Sequence, residues 1–271
     1  MSALAEVASR LRCPHCAAPF VLDASLTCEA GHSFDVARQG YVSLGTGPGD
    51  TAEMVAAREA FLGAGHFAPI TEVVASAPAG ELVVELGAGT GHHLAALLER
   101  NSAHGIALDT SKPALRRAAR AHPRLAAVAC DVWAALPVQD GAADLVVDVF
   151  APRNGPEIAR ILSGTLLVIT PTQDHLAELI EPLGLLDVDP GKPARLHASV
   201  EPLRARTHDR VDWTMALGHS DVRALVAMGP SAHHLPGDID GRIARLPDPV
   251  LVTASVAVDT FTGGELVRRE A

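Results

Sequence analysis

The chain has 271 residues, 48% of them apolar, enough for one large α/β domain with a small appendage. Its formal charge of −10 excludes a protein that grips nucleic acid by bulk electrostatics, since neutralising phosphates calls for clustered Lys and Arg. No uncharged apolar run is long enough to span a bilayer and the Met1–Glu6 start is neither basic nor apolar, which predicts a soluble, cytoplasmic protein with no membrane contact.

The first element is a cysteine module over residues 1–45. Cys13, Cys16, Cys28 and His32 follow the spacing C-x2-C-x11-C-x3-H. A CxxC turn presents two thiolates to one ion, and a further Cys and His at close spacing complete a tetrahedral shell, so the spacing predicts a closed structural zinc site. Three other readings stay open: a redox pair at Cys13 and Cys16, unligated thiols, and His15 in place of His32. The redox reading is weakened because the pair precedes a short strand, Phe20–Leu22, instead of opening a helix within a βαβ unit. A module of this size buries too little apolar surface to fold alone, and metal would supply much of its folding free energy. Cys130 stands apart and reads as a small buried hydrophobe.

Residues 46–80 form a connection. Gly45 to Thr51 is turn-rich and reads as a linker or mobile loop. A helix is expected from Thr51 to Leu62, capped by Asp50 or Thr51 and broken by Gly63 to Phe67.

From Glu81 to the end, residues 81–271, strand-like and helical stretches alternate, the pattern of a doubly wound parallel sheet. The expected strands are Leu82 to Leu86, His104 to Leu108, Ala126 to Cys130, Asp144 to Phe150 and Thr165 to Thr170. The helices between them are His92 to Arg100, Pro113 to His122, Pro156 to Leu162 and Asp174 to Leu183. Val211 to Leu217 and Val250 to Asp259 are expected to close one edge. Lys112, Arg116, Arg117, Arg120 and Arg124 form one basic stretch and Arg204, Arg206 and Arg210 another; each is either a solvated face or an RNA contact.

The first strand runs into Glu85-Leu86-Gly87-Ala88-Gly89-Thr90-Gly91-His92 and a helix follows at once. The G-x-G-x-G spacing departs from the dinucleotide fingerprint and fits S-adenosylmethionine better. Asp109 ends the second strand, where a carboxylate can meet ribose hydroxyls, and Asp131 ends the third; either can also be a turn or cap residue. The fourth strand ends in Phe150-Ala151-Pro152-Arg153-Asn154, at the same edge.

The zinc motif, Gly31 to Val42, Asp50 with Met54, Ala57 and Arg58, Gly65-His66-Phe67, the glycine loop, Asp109 to Lys112, Phe150-Ala151-Pro152, Thr170-Pro171 with His175-Leu176, and Val226 to Pro230 together resemble the bacterial 23S rRNA (guanine-N1)-methyltransferases. His92-His93-Leu94 and Ala151 to Asn154 point to the actinobacterial, macrolide-resistance branch. The resemblance implies a class I methyltransferase with a Rossmann-like doubly wound sheet and a small N-terminal zinc-binding module. It implies a homodimer that methylates N1 of a guanine in a hairpin loop of 23S rRNA, with Zn(2+) held by Cys13, Cys16, Cys28 and His32. It further implies that Glu85, Gly87, Gly89 and Gly91 line the methionine end of S-adenosylmethionine, Asp109 its ribose, and Asp131 with Val132 its adenine, with Thr90 and His92 also among the cofactor-binding residues. Arg153 and Asn154 are the candidates to contact the base at O6. The alternative is a methyltransferase of small natural products, which shares the cofactor site and needs no zinc module.

Overall fold

A computed structural model describes residues 2–189, 191–229 and 237–263. Pro230, the last residue of one motif, and the end of the third segment beyond residue 263 lie outside the described residues.

Three short strands, β1 (Phe20–Leu22), β2 (Leu26–Cys28) and β3 (Ser33–Phe34), form a small antiparallel sheet. The large sheet holds β4 (Tyr41–Ser43), β5 (Leu82–Leu86), β6 (His104–Asp109), β7 (Leu125–Ala129), β8 (Ala143–Val149), β9 (Leu162–Pro171), β10 (Arg204–Leu217) and β11 (Val250–Thr262). Its order is β10-β11-β9-β8-β5-β6-β7-β4, parallel from β4 to β9, with β11 and then β10 added antiparallel. The central strands are buried on both faces, as parallel strands covered by helices must be. The chain runs from β5 outward to β7 and then returns through β8 on the other side, so the strand order reverses between β5 and β8. Ligands bind open α/β sheets in the crevice at the carboxyl ends beside such a reversal.

Alternate side chains divide the core in two. Val83, Ala107, Ala127 and Leu145 face the helices Ala52–Gly63, Ala68–Ala75, His92–Glu99 and His219–Met228. Val84, Ile106, Val128 and Val146 face the opposite way, where Leu4, Val7, Leu11, Phe20 and Leu26 of the N-terminal module join the same apolar cluster. The module therefore packs directly on the large sheet, and its last strand, β4, pairs in parallel with β7.

The helix expected from Thr51 spans Ala52–Gly63, with the Thr51 side chain accepting from the Met54 amide. The mobile linker expected just before it is instead docked. Leu44 and Gly45 donate to the Ala129 carbonyl, Thr110 Oγ1 donates to the Pro48 carbonyl at 2.7 Å, and Ser111 Oγ donates to the Asp50 carbonyl at 2.7 Å. Gly49 permits this: a Cβ there would lie 2.6 Å from the Ser111 nitrogen.

Candidate active site and metal centre

Cys13, Cys16, Cys28 and His32 converge between the small strands, and one ligand atom from each lies within 4.8 Å of all the others. His32 Nδ1 sits 3.6 Å from Cys13 Sγ and 3.4 Å from Cys28 Sγ, while Cys16 Sγ and Cys28 Sγ are 3.6 Å apart. A zinc–sulfur bond of about 2.3 Å in a tetrahedron separates ligand atoms by roughly 3.8 Å, so this donor set fits one zinc ion. Burial pushes the Cys28 thiol up, but its hydrogen bonds with Cys16 and His32 prevail and bring it down to about 6, toward the thiolate a metal requires. His15 stacks on Phe34 and leans on His32, with ring centroids 5.8 and 4.9 Å apart, outside the ligand set. Cys130 is buried, and burial pushes its thiol up to about 12, which makes it inert packing.

Two adjacent cavities open at the carboxyl ends of β5 to β8. The larger, about 760 Å³, is bordered by Glu85, Gly87, Gly89, Thr90 and His92 and by the aromatic side chains Phe67, Phe150 and His175. The smaller, about 320 Å³, is bordered by Gly87, Asp109, Asp131, Val132 and Trp133. Asp50, Arg58, Gly87 and Phe150 border both.

The glycine loop is held by its backbone. Gly87, Gly89 and Gly91 have φ of +58, +55 and +74°, the left-handed region that a side chain strains, and Gly91 caps the helix His92–Glu99. A Cβ at Gly91 would press on Leu125 and Ala118, so this glycine serves helix-to-sheet packing, and it borders neither cavity. Asp109 accepts from the Gly89 amide at 2.8 Å and from the Ser111 amide at 2.7 Å, which locks the second strand end to the loop. Asp131 accepts from the Trp133 amide at 3.0 Å.

Glu85 is fully buried, and its Oε2 has no hydrogen-bond partner among the described residues. Burial, with the Asp109 and Asp148 charges adding to it, pushes its carboxyl up to about 8 despite a hydrogen bond from the Leu94 amide. A buried orphan acid beside a ligand-sized cavity is what a cationic group would satisfy, and perturbed groups of this kind gather at functional sites. His93, bonded to Thr71 at 3.0 Å, is pushed down to about 3 by burial first, with the His92 and Arg58 charges adding to it.

At the end of β8 the side chains expected to reach a substrate base face the protein instead. Arg153 Nη1 donates to Asp148 at 2.9 Å and to the Ala151 carbonyl at 3.1 Å. The Asn154 amide donates to the Trp133 and Ala134 carbonyls, and its oxygen caps the helix Gly155–Ile161. Neither borders a cavity. The cause is local: β8 ends one residue before Phe150, whose φ of +56° turns the chain so that Phe150 faces the cavities and Arg153 turns back on Asp148. A left-handed phenylalanine held in a turn is strained, and such strain concentrates at functional sites. Phe150 is 40% exposed and makes an aromatic wall with Phe67 and His175, ring centroids 5.6 to 6.1 Å apart.

Sequence reasoning gave no role to Phe67, His175 or Arg58, although all three stand in the motifs that carry the resemblance. Two family profiles match the chain: a zinc ribbon described as "RlmA, N-terminal" at residues 11–44 and a "Methyltransferase domain" at residues 83–171. The 23S rRNA (guanine(748)-N(1))-methyltransferase of Streptomyces fradiae is 52% identical, the match covering 95% of this chain and 97% of that one. A provisionally named 23S rRNA (guanine-N(1)-)-methyltransferase of Micromonospora griseorubida is 50% identical over 94% of this chain and 98% of its own. Among solved structures, a chain from the Haloferax volcanii complex of the Trm112 methyltransferase activator and a methyltransferase is similar in fold, with a TM-score of 0.53, 20% identity, and coverage of 80% of this chain and all of that one.

Proposed function

The chain belongs to the bacterial 23S rRNA (guanine-N1)-methyltransferases, and from that membership we propose that it methylates N1 of the hairpin-loop guanine at position 748 of 23S rRNA, the position in the name of its Streptomyces fradiae relative. One observation carries the reading: the likeness to that relative runs through 95% of the chain, and the two family profiles cover the Cys3His cluster and the glycine loop. S-adenosylmethionine supplies an activated methyl group, and in-line transfer needs mainly alignment of donor and nucleophile.

The residues divide that work. Glu85, Gly87, Gly89, Thr90 and His92 surround the methionine end, Asp109 the ribose, and Asp131 with Val132 the adenine; Gly91 holds the loop to the sheet. The wall of Phe67, Phe150 and His175 receives the guanine, because a base splayed from a loop gains from stacking on aromatic side chains. Arg153 and Asn154 position that wall from behind through Asp148 and the helix Gly155–Ile161. Zinc holds the N-terminal module in shape against the sheet. The protein acts in the cytoplasm as a homodimer, and its modification of the ribosome contributes to macrolide resistance. Among the described residues no helix is long and apolar enough to cross a membrane.

The test is transfer of labelled methyl from S-adenosylmethionine to protein-free 23S rRNA. Incorporation that nuclease digestion recovers as 1-methylguanosine supports the reading; cofactor binding with no transfer to rRNA counts against it and favours a small-molecule acceptor.

A further inference from the structure

We propose that Arg58, a residue of the helix Ala52–Gly63 and outside the glycine loop, is the anchor for the α-carboxylate of S-adenosylmethionine. The proposal rests on the site holding that cofactor.

The amino-acid end of the cofactor carries an ammonium and a carboxylate, which need opposite partners. Acids are plentiful around the two cavities: Glu85, Asp50, Asp109 and Asp131. Cations are not. Among the described residues Arg58 is the one arginine or lysine that borders both cavities; Arg195 borders the larger one alone. Three amides of the glycine loop are already used within the fold. The Ala88 amide donates to the Leu108 carbonyl, Gly89 to Asp109, and Gly91 to the Ala88 carbonyl.

Arg58 lies over that loop: its Nη1 is 3.1 Å and its Cδ 3.4 Å from where a Gly89 Cβ would stand. The guanidinium is held from two sides, by Asp50 at 2.6 Å from Nη1 and by the Met228 carbonyl at 3.0 Å from Nη2. An arginine has five N–H donors in a fixed fork, so these contacts orient the group and leave donors for an incoming carboxylate. The side chain is 26% exposed, a setting in which a charge-assisted pair is only partly screened. Arg58 thereby ties the docked linker, through Asp50, and the helix His219–Met228 to occupancy of the cofactor site.

The test is isothermal titration of the full chain and Arg58→Ala with S-adenosylhomocysteine and with 5′-methylthioadenosine, which keeps the adenosine and thioether but lacks the amino acid. Arg58→Lys carries the same comparison in a milder form should Arg58→Ala fold poorly. The expected result is a loss of about tenfold or more for S-adenosylhomocysteine, with 5′-methylthioadenosine within about twofold, since removing one partner of a charge-assisted pair costs at least a decade in affinity. Equal losses for both ligands would make Arg58 a structural strut and overturn the proposal. Unchanged binding of both, with loss only of rRNA affinity, would overturn it in favour of a phosphate contact. Wild-type protein that bound neither ligand would overturn the cofactor reading itself, and the proposal with it.

Discussion

Glu85 and Arg153 show how single side chains set this site. Glu85 has its folded value raised to about 8 from an ordinary value near 4.5. A raised acid binds its proton more tightly in the folded chain, so its stabilising contribution is full below about 4.5 and is lost as pH rises through about 8. The thermal midpoint of the ligand-free chain is expected to fall across that window, and Glu85→Gln to flatten the decline; a Gln variant that keeps the full slope would place the titration elsewhere. Arg153 is 14% exposed against an Asp148 side chain that is fully buried. Removing Arg153 takes the charged donor from a buried carboxylate that still accepts from the Ala151 amide, and costs roughly 1.5–3 kcal/mol. Arg153→Ala is expected to lose stability on that scale in urea unfolding, and in any residual fold to raise the KM for rRNA by displacing Phe150. A change under about 1 kcal/mol would show that the pair is not what holds the turn. The sequence placed Arg153 and Asn154 at the right strand end but gave no sign of their direction, because one left-handed backbone torsion at Phe150 decides it.

Among the elements, β5 to β8 were legible to within a residue at either end, because they are short apolar runs set off by glycine, acid or proline. The N-terminal half of β10 was not: Arg204 to Arg210 is polar and exposed, and it is a strand only because its backbone pairs with β11. β4 was equally hidden, since three residues reach β7 across more than eighty positions of chain. The docked linker makes its own prediction. Gly49→Ala would drive a Cβ into the Ser111 backbone, and is expected to lift residues 45–50 off the Asp109 loop and weaken S-adenosylhomocysteine binding about tenfold by titration. Unaltered affinity would show the linker to be incidental to the cofactor site. Chelating zinc is expected to release the amide protons of β1 to β3 to exchange, while those of β5 to β8 stay protected by the large sheet. Protection of β1 to β3 without metal would mean that the apolar packing of Leu11, Phe20 and Leu26 suffices.

For the whole molecule the unusual feature is an RNA-modifying enzyme with a charge of −10. Its basic stretches are partly consumed internally: Arg117 pairs with Glu59, Arg124 is turned onto the carbonyls of Leu98, Asn101 and Ala103, and Arg210 bridges Asp174 and Asp212. Few phosphates can then be neutralised, so rRNA affinity is expected to fall with a log–log salt slope shallower than about −4, against slopes near −10 for strongly basic binders. Recognition would rest on the aromatic wall and on the shape of the RNA loop. The most direct measurement is primer extension across 23S rRNA from cells that express this chain and otherwise lack the modification, since a methyl on N1 blocks base pairing. The account predicts a single new stop next to guanine 748 that vanishes when Glu85→Ala replaces the wild type. A stop at another guanine would correct the site, and no stop in 23S rRNA from cells making folded protein would contradict the account.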